Sequence, residues 1–201
     1  DDLVVSLRSG IGWNHEHADR NSVILKAHGE QLIVDPSRPP YSHTDPCWIM
    51  RTTLGHSAVL VDGHGHFYHN GVEGTNSTHA QARIVATGQG AGHCHWISDA
   101  TQAYRLADIN IRAAVRAVLV LFEAQAVVVV DRVAKWKEAS RFQARYFADN
   151  WDGQCTVETR PDGFTVRRPH AFAQARVFSR GALQVRAGML PIPEARAVKH
   201  P

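Results

Sequence analysis

Short apolar or alternating runs recur between turn signals along the whole chain. In the first half they are Leu3–Leu7, Ser22–Lys26, Gln31–Val34, Ser57–Val61 and Ala82–Ala86. The middle holds Ile109–Phe122, Ala126–Val133 and Arg141–Phe147, and the last part Thr156–Thr159, Phe164–Val166, Ala171–Phe178 and Leu183–Val185. Glycine-containing breaks separate many of them, such as Ala27-His28-Gly29 and Asp62-Gly63-His64-Gly65. Alternation of this kind, bounded by glycine turns, predicts strands rather than helices. Asp162-Gly163 between two such runs predicts a hairpin turn. Only Ala107 to Phe122 competes as a helix, and its partner Val127-Val128-Val129-Val130 is β-branched throughout, which favours strand. Those two runs, joined near Glu123-Ala124-Gln125, predict a central hairpin with Asp131 at its exit.

About a dozen strands and almost no helix predict an all-β fold, an antiparallel β-sandwich or barrel. There is no internal repeat and no low-complexity linker, so residues 1–201 are expected to form a single domain. No apolar run reaches the roughly 18–20 residues a membrane span needs. The chain opens at Asp1-Asp2-Leu3 with no initiator Met and no signal-peptide pattern, as a mature form, a processed piece or a fragment would.

Charge changes the picture little. The net charge is +3 and the basic residues are scattered, which argues against a nucleic-acid footprint. Most of the 22 Lys and Arg residues are Arg, compatible with an anionic ligand such as an acidic sugar and equally with a compositional bias toward Arg. The 3 cysteines are widely spaced with no CxxC pair, so they offer neither a disulfide framework nor a thiolate zinc site.

The candidate chemistry lies in Asn14-His15-Glu16-His17-Ala18-Asp19, Val34-Asp35-Pro36 and Gly55-His56. Read as a strand, His15, His17 and Asp19 share one face, with neighbours roughly 6–7 Å apart. One imidazole can then ligate a metal while the other faces a substrate, and Asp35 and His56 complete a His/His/Asp site with a position open for water. Such donors suit a borderline cation such as zinc. The bland alternative is a set of surface or hydrogen-bonded histidines, since a chain with 13 histidines throws up one His-X-His by chance. A cupin-type site would need a glutamate just beyond the second histidine, where Arg20 and Asn21 stand. His93-Cys94-His95 is a second His-X-His, without a nearby carboxylate before Asp99. Asn76-Ser77-Thr78 fits a glycosylation acceptor, a match too common to weigh.

Taken in order, His15-Glu16-His17-Ala18-Asp19 with Asn21-Ser22, Gly29-Glu30-Gln31-Leu32-Ile33-Val34-Asp35-Pro36, Tyr41, Arg51-Thr52-Thr53-Leu54-Gly55-His56 and Val59-Leu60-Val61-Asp62-Gly63 resemble the C-terminal domain of the heparinase II/III-like polysaccharide lyases. A weaker match runs on through Val130-Asp131-Arg132-Val133. The resemblance implies a large antiparallel β-sandwich that normally follows an N-terminal helical toroid, with the cleft between them. It implies a zinc site on His17, Asp35 and His56, with His15 facing the substrate and Tyr41 a candidate acid or base. It implies an acidic polysaccharide or oligosaccharide substrate, cleaved by β-elimination, and a periplasmic or secreted location. Two positions depart from the pattern: Ser37 where a glycine is usual, and Ser57 where an asparagine often follows the third histidine. The toroid is absent from this sequence, so the chain reads as part of a longer lyase or as a non-catalytic, metal-stabilised carbohydrate-binding or structural sandwich.

Overall fold

The computed structural model describes residues 3–12, 15–35, 39–68, 79–136 and 139–193. Strands β1 (Val4–Leu7), β2 (Val23–Ala27) and β3 (Glu30–Val34) form an antiparallel meander. The β2–β3 hairpin turns on His28 and Gly29, both at positive φ (51° and 79°), the conformation in which a two-residue loop matches strand twist. A second meander joins β5 (Arg83–Gln89), β6 (His93–Asp99), β7 (Ile111–Leu121) and β8 (Ala126–Lys135); between the two lies β4 (Val59–Val61). Strand β9 (Phe142–Ala144) pairs with β4, β10 (Phe147–Ala148) pairs with β3, and β11 (Thr156–Arg160), β12 (Gly163–Arg167) and β13 (Phe172–Arg176) make a three-stranded sheet.

The architecture is the expected all-β sandwich. Val5, Leu7 and Val23 of the first sheet pack on Trp96, Val118, Val120, Val127 and Val129 of the second meander. Val118 is fully buried, and a buried valine contributes about 1.5–3 kcal/mol. Period-two alternation leaves Val128 and Val130 exposed on the opposite face. The β11–β13 sheet meets the first sheet where Ala171 and Ala173 pack with Ala27 and Leu32. Beside that contact Arg168 reaches Glu30 at 3.2 Å and forks onto Asp152 at 2.5 and 2.7 Å.

Several elements differ from the sequence reading. The segment from His15 to Asp19 is not a strand but an irregular loop between β1 and β2. His15 sits at φ 66°, which no extended strand admits, and the loop hangs on hydrogen bonds to distant backbone instead of a ladder. Asp131 lies inside β8, opposite Arg116, rather than at the hairpin exit. Arg141–Phe147 is split between β9 and β10, which join different sheets. Leu183–Val185 carries no strand. Strand β6 and a short helix α1 (Thr101–Arg105) were not anticipated. The Asp162-Gly163 hairpin exists, but Pro161-Asp162 forms its turn and Gly163 already pairs with Arg160. Gly163 is required for another reason: a Cβ there would lie 2.1 Å from the Ala175 carbonyl oxygen. Pro36, Ser37, His69 and the Asn76-Ser77-Thr78 sequon lie outside the described residues. Among the described residues no helix is long and apolar enough to cross a membrane.

Candidate active site

Two 3-10 turns, Pro46–Arg51 and Thr53–Gly55, deliver His56 to the end of β3. The first is capped by Asp45, whose carboxylate accepts from the Cys47 backbone N–H at 2.8 Å. Gly55 permits the tight passage, because a Cβ there would approach the Met50 Cα to 2.6 Å. His56 is fully buried, and its Nδ1 stands 2.6 Å from the Asp35 Oδ1. Ser22 Oγ donates to the same carboxylate oxygen at 3.1 Å and accepts from the Ser57 backbone N–H at 3.1 Å. The His17 ring lies 5.2 Å from the His56 ring, tilted by 47°. The structure therefore brings His17, Asp35 and His56 together, from a loop, a strand end and a 3-10 turn.

The electrostatics divide the two imidazoles. Burial drives the His17 pKa down to about 3, assisted by the charges of His56 and Arg51. His17 is thus a neutral imidazole at physiological pH, the form that ligates a metal. Burial would also lower His56, but the Asp35 carboxylate, as a charge and as a hydrogen-bond acceptor, outweighs it and raises the pKa. Asp35 is correspondingly held low by His56 and Ser22 against the upward pull of its own burial.

His15 and Tyr41 form a second group beside the first. Their rings meet edge-on, 5.3 Å apart at 83°. Tyr41 is exposed and lies over the Arg51 guanidinium at 4.3 Å. The histidine loop is anchored beneath: Ala18 N–H donates to the Arg51 carbonyl at 2.7 Å, and Thr53 Oγ1 to the Ala18 carbonyl at 2.8 Å. Fully buried Arg20 bonds Asp19 at 2.5 Å and lies 3.4 Å from Glu16, which also pairs closely with Arg8. These contacts replace a strand ladder and fix the loop's shape.

His66 is buried with both ring nitrogens committed. Nδ1 lies 2.8 Å from the Phe67 carbonyl, and Nε2 accepts from the Arg20 backbone N–H at 3.1 Å. This is a neutral tautomer, and burial lowers the pKa to about 3. A folded pKa below the unfolded 6.5 gives stability that is present above pH 6.5 and lost as pH falls from there toward 3. Each pH unit in that window costs about 1.4 kcal/mol at most. Urea midpoints between pH 7 and 5 should therefore decline less in His66→Gln than in the parent; equal slopes would rule out His66 as a source of acid sensitivity.

Some contributors were missed in sequence. Ser22, Arg51 and Asp19 lay within the quoted motifs without an assigned role. Arg116, one of two arginines in the otherwise apolar β7, is the buried one: it is fully buried, forks onto Asp131 at 2.7 and 2.8 Å, and donates to the Asn21 and Ser57 carbonyls at 2.7 and 2.5 Å. Ser57, the departure from the expected asparagine, binds structure: its Oγ reaches the Val34 carbonyl at 3.4 Å and accepts from Phe147 N–H at 3.2 Å. The second His-X-His behaves differently. His93 and His95 lean over Gly90 and Gly88 of the neighbouring chain segment, where a Cβ would come within 2.6 and 2.3 Å of the rings.

The first group offers the donor types that zinc takes. His56 Nε2 is buried with no hydrogen-bond partner, Asp35 offers a carboxylate and His17 a neutral imidazole. Among the described residues no group of three His, Cys, Asp or Glu side chains stands arranged to hold a metal ion, and Asp35 and His56 hydrogen-bond each other.

A family model, heparinase II/III-like C-terminal, matches residues 6–201. No curated protein sequence matches the chain. Among solved structures, a mutant of the heparan sulfate lyase HepC from Pedobacter heparinus is similar, with a TM-score of 0.59 and 15% identity. The match covers 82% of this chain and 25% of that one, so the present chain spans about a quarter of its length. The fold is shared at low identity, and on the strength of the family match the chain belongs to the heparinase II/III-like family, as its C-terminal β-sandwich domain.

Proposed function

We propose that this sandwich is the C-terminal part of a polysaccharide lyase that cleaves uronate-containing polymers by β-elimination. The observation that carries the reading is the convergence of His17, Asp35 and His56 beside the edge-on pair of His15 and Tyr41. In the reaction a base takes the C5 proton of a uronate, the electron pair forms the C4–C5 double bond, and the 4-O-linked sugar departs with a proton from an acid. The C5 proton is weakly acidic, so charge developing on the uronate carboxylate has to be met by donors as the bond breaks. His15, exposed and held at positive φ, contacts that carboxylate or moves the proton. Tyr41 serves as the second acid–base group.

His17, Asp35 and His56 would hold zinc, which supplies a structural cross-link between the three segments. A helical toroid partner would complete the cleft, and an acidic polysaccharide substrate would suit a periplasmic or secreted location. The chief competitor is a non-catalytic carbohydrate-binding sandwich. It is favoured by the buried His56–Asp35 hydrogen bond, which ties the loops without any turnover.

Elemental analysis of chelator-free protein tests the metal, with about one zinc per chain expected. A well-folded sample lacking transition metal refutes it. Ultraviolet-absorbing unsaturated products from uronate polymers, released by the protein with its natural flanking domains, decide between lyase and binding module.

A further inference from the structure

We propose that Arg51 is the positioning residue that seats Tyr41 against the histidine loop. Its side chain is buried, 3% exposed, yet it holds an exposed loop. Nε donates to the Pro40 carbonyl at 2.9 Å and Nη2 to the Pro39 carbonyl at 3.2 Å. The two carbonyls immediately preceding Tyr41 are thereby gripped by one planar fork. The Tyr41 ring lies over the same guanidinium at 4.3 Å, and Trp48 stands near it at 5.5 Å. The Arg51 carbonyl accepts from Ala18 N–H, so this one residue joins the tyrosine loop to the loop bearing His15 and His17. Asp45 and the 3-10 turn it caps fix the arginine's own backbone.

Only arginine meets these demands together. Lysine keeps the charge but cannot donate in a plane to two carbonyls while offering a flat cation to a ring. The buried guanidinium is not placed to touch substrate; it acts through Tyr41, whose ring meets His15 at 5.3 Å. A displacement of about 1 Å in such a pair is enough to cost on the order of a hundredfold in rate.

The test compares the parent protein, flanking domains included, with Arg51→Lys. Limited chymotrypsin digestion, with the cut after Tyr41 identified by mass, reads the loop directly. Cleavage is expected to accelerate about tenfold at an unchanged urea midpoint, as for a locally released loop. An unchanged rate, or a rate that rises only with a lowered midpoint, overturns the proposal. If Arg51→Lys does not fold, Arg51→Gln, which removes the cation and breaks the fork, replaces it in the same digestion; faster cleavage after Tyr41 at an unchanged midpoint supports the seat and an unchanged rate overturns it. The kinetic arm rests on the lyase reading: kcat should fall between about tenfold and a hundredfold, with KM nearly constant and zinc retained. A loosened loop with unaltered kcat overturns the positioning role. A parent that eliminates no uronate polymer refutes the lyase reading instead, and the digestion then decides for Arg51 alone.

Discussion

Replacing Arg116 with methionine is expected to destabilise the fold by about 3–5 kcal/mol, the usual cost of breaking a buried ion pair by removing one partner. The substitution strips both bonds from Asp131 and leaves the buried Asn21 and Ser57 carbonyls without this donor. Those two carbonyls belong to the loop before β2 and to the residue after His56, so the damage spreads into the site. The double variant Arg116→Met, Asp131→Leu should recover part of the loss, because no unpaired carboxylate then remains. It should not recover all of it, because the carbonyls still lack their donor. Urea denaturation with a constant m-value measures both effects. A loss below about 1 kcal/mol in the single variant would mean that water or a neighbouring donor replaces the guanidinium.

The second large effect separates His15 from Asp35. In the protein with its flanking domains, His15→Ala should lower turnover by about a hundredfold or more, the range for a lost acid–base group, while zinc stays bound. Asp35→Ala should lose both, since it removes a proposed ligand together with the partner that holds His56 at 2.6 Å. Metal content and turnover measured on the same samples give the contrast. Loss of metal in His15→Ala would make His15 a ligand and end its catalytic assignment. Full activity in that variant on every uronate polymer would leave the reaction without its proposed residue on this side of the cleft.

The sandwich itself was legible in the chain because strand formation on a half-buried sheet is a local property. Val127 to Val130 are β-branched throughout, which favours strand whichever way each side chain points; only the structure turns Val127 and Val129 to the core and Val128 and Val130 outward. Strand β6 is not legible locally because its outward face carries His93 and His95, whose fit depends on Gly88 in β5 and Gly90 just after it. The grouping of His17, Asp35 and His56 followed from motif order, not from any local rule.

The backbone of the histidine loop was not legible. A strand was expected from His-X-His, but the loop's donors and acceptors are met by Arg51, Thr53, Arg8 and His66, residues far away in the chain. The sequence alone determined that the chain is built of strands, where most of them lie, and which side chains are chemically able to form a site. Tertiary structure decided that His17 is buried and neutral, that His56 and Asp35 share a hydrogen bond, and that Arg51 and Arg116 brace the loops. The reason is physical: hydrophobic alternation is satisfied within a few residues, whereas burial, charge coupling and hydrogen-bond pairing exist only once distant segments meet.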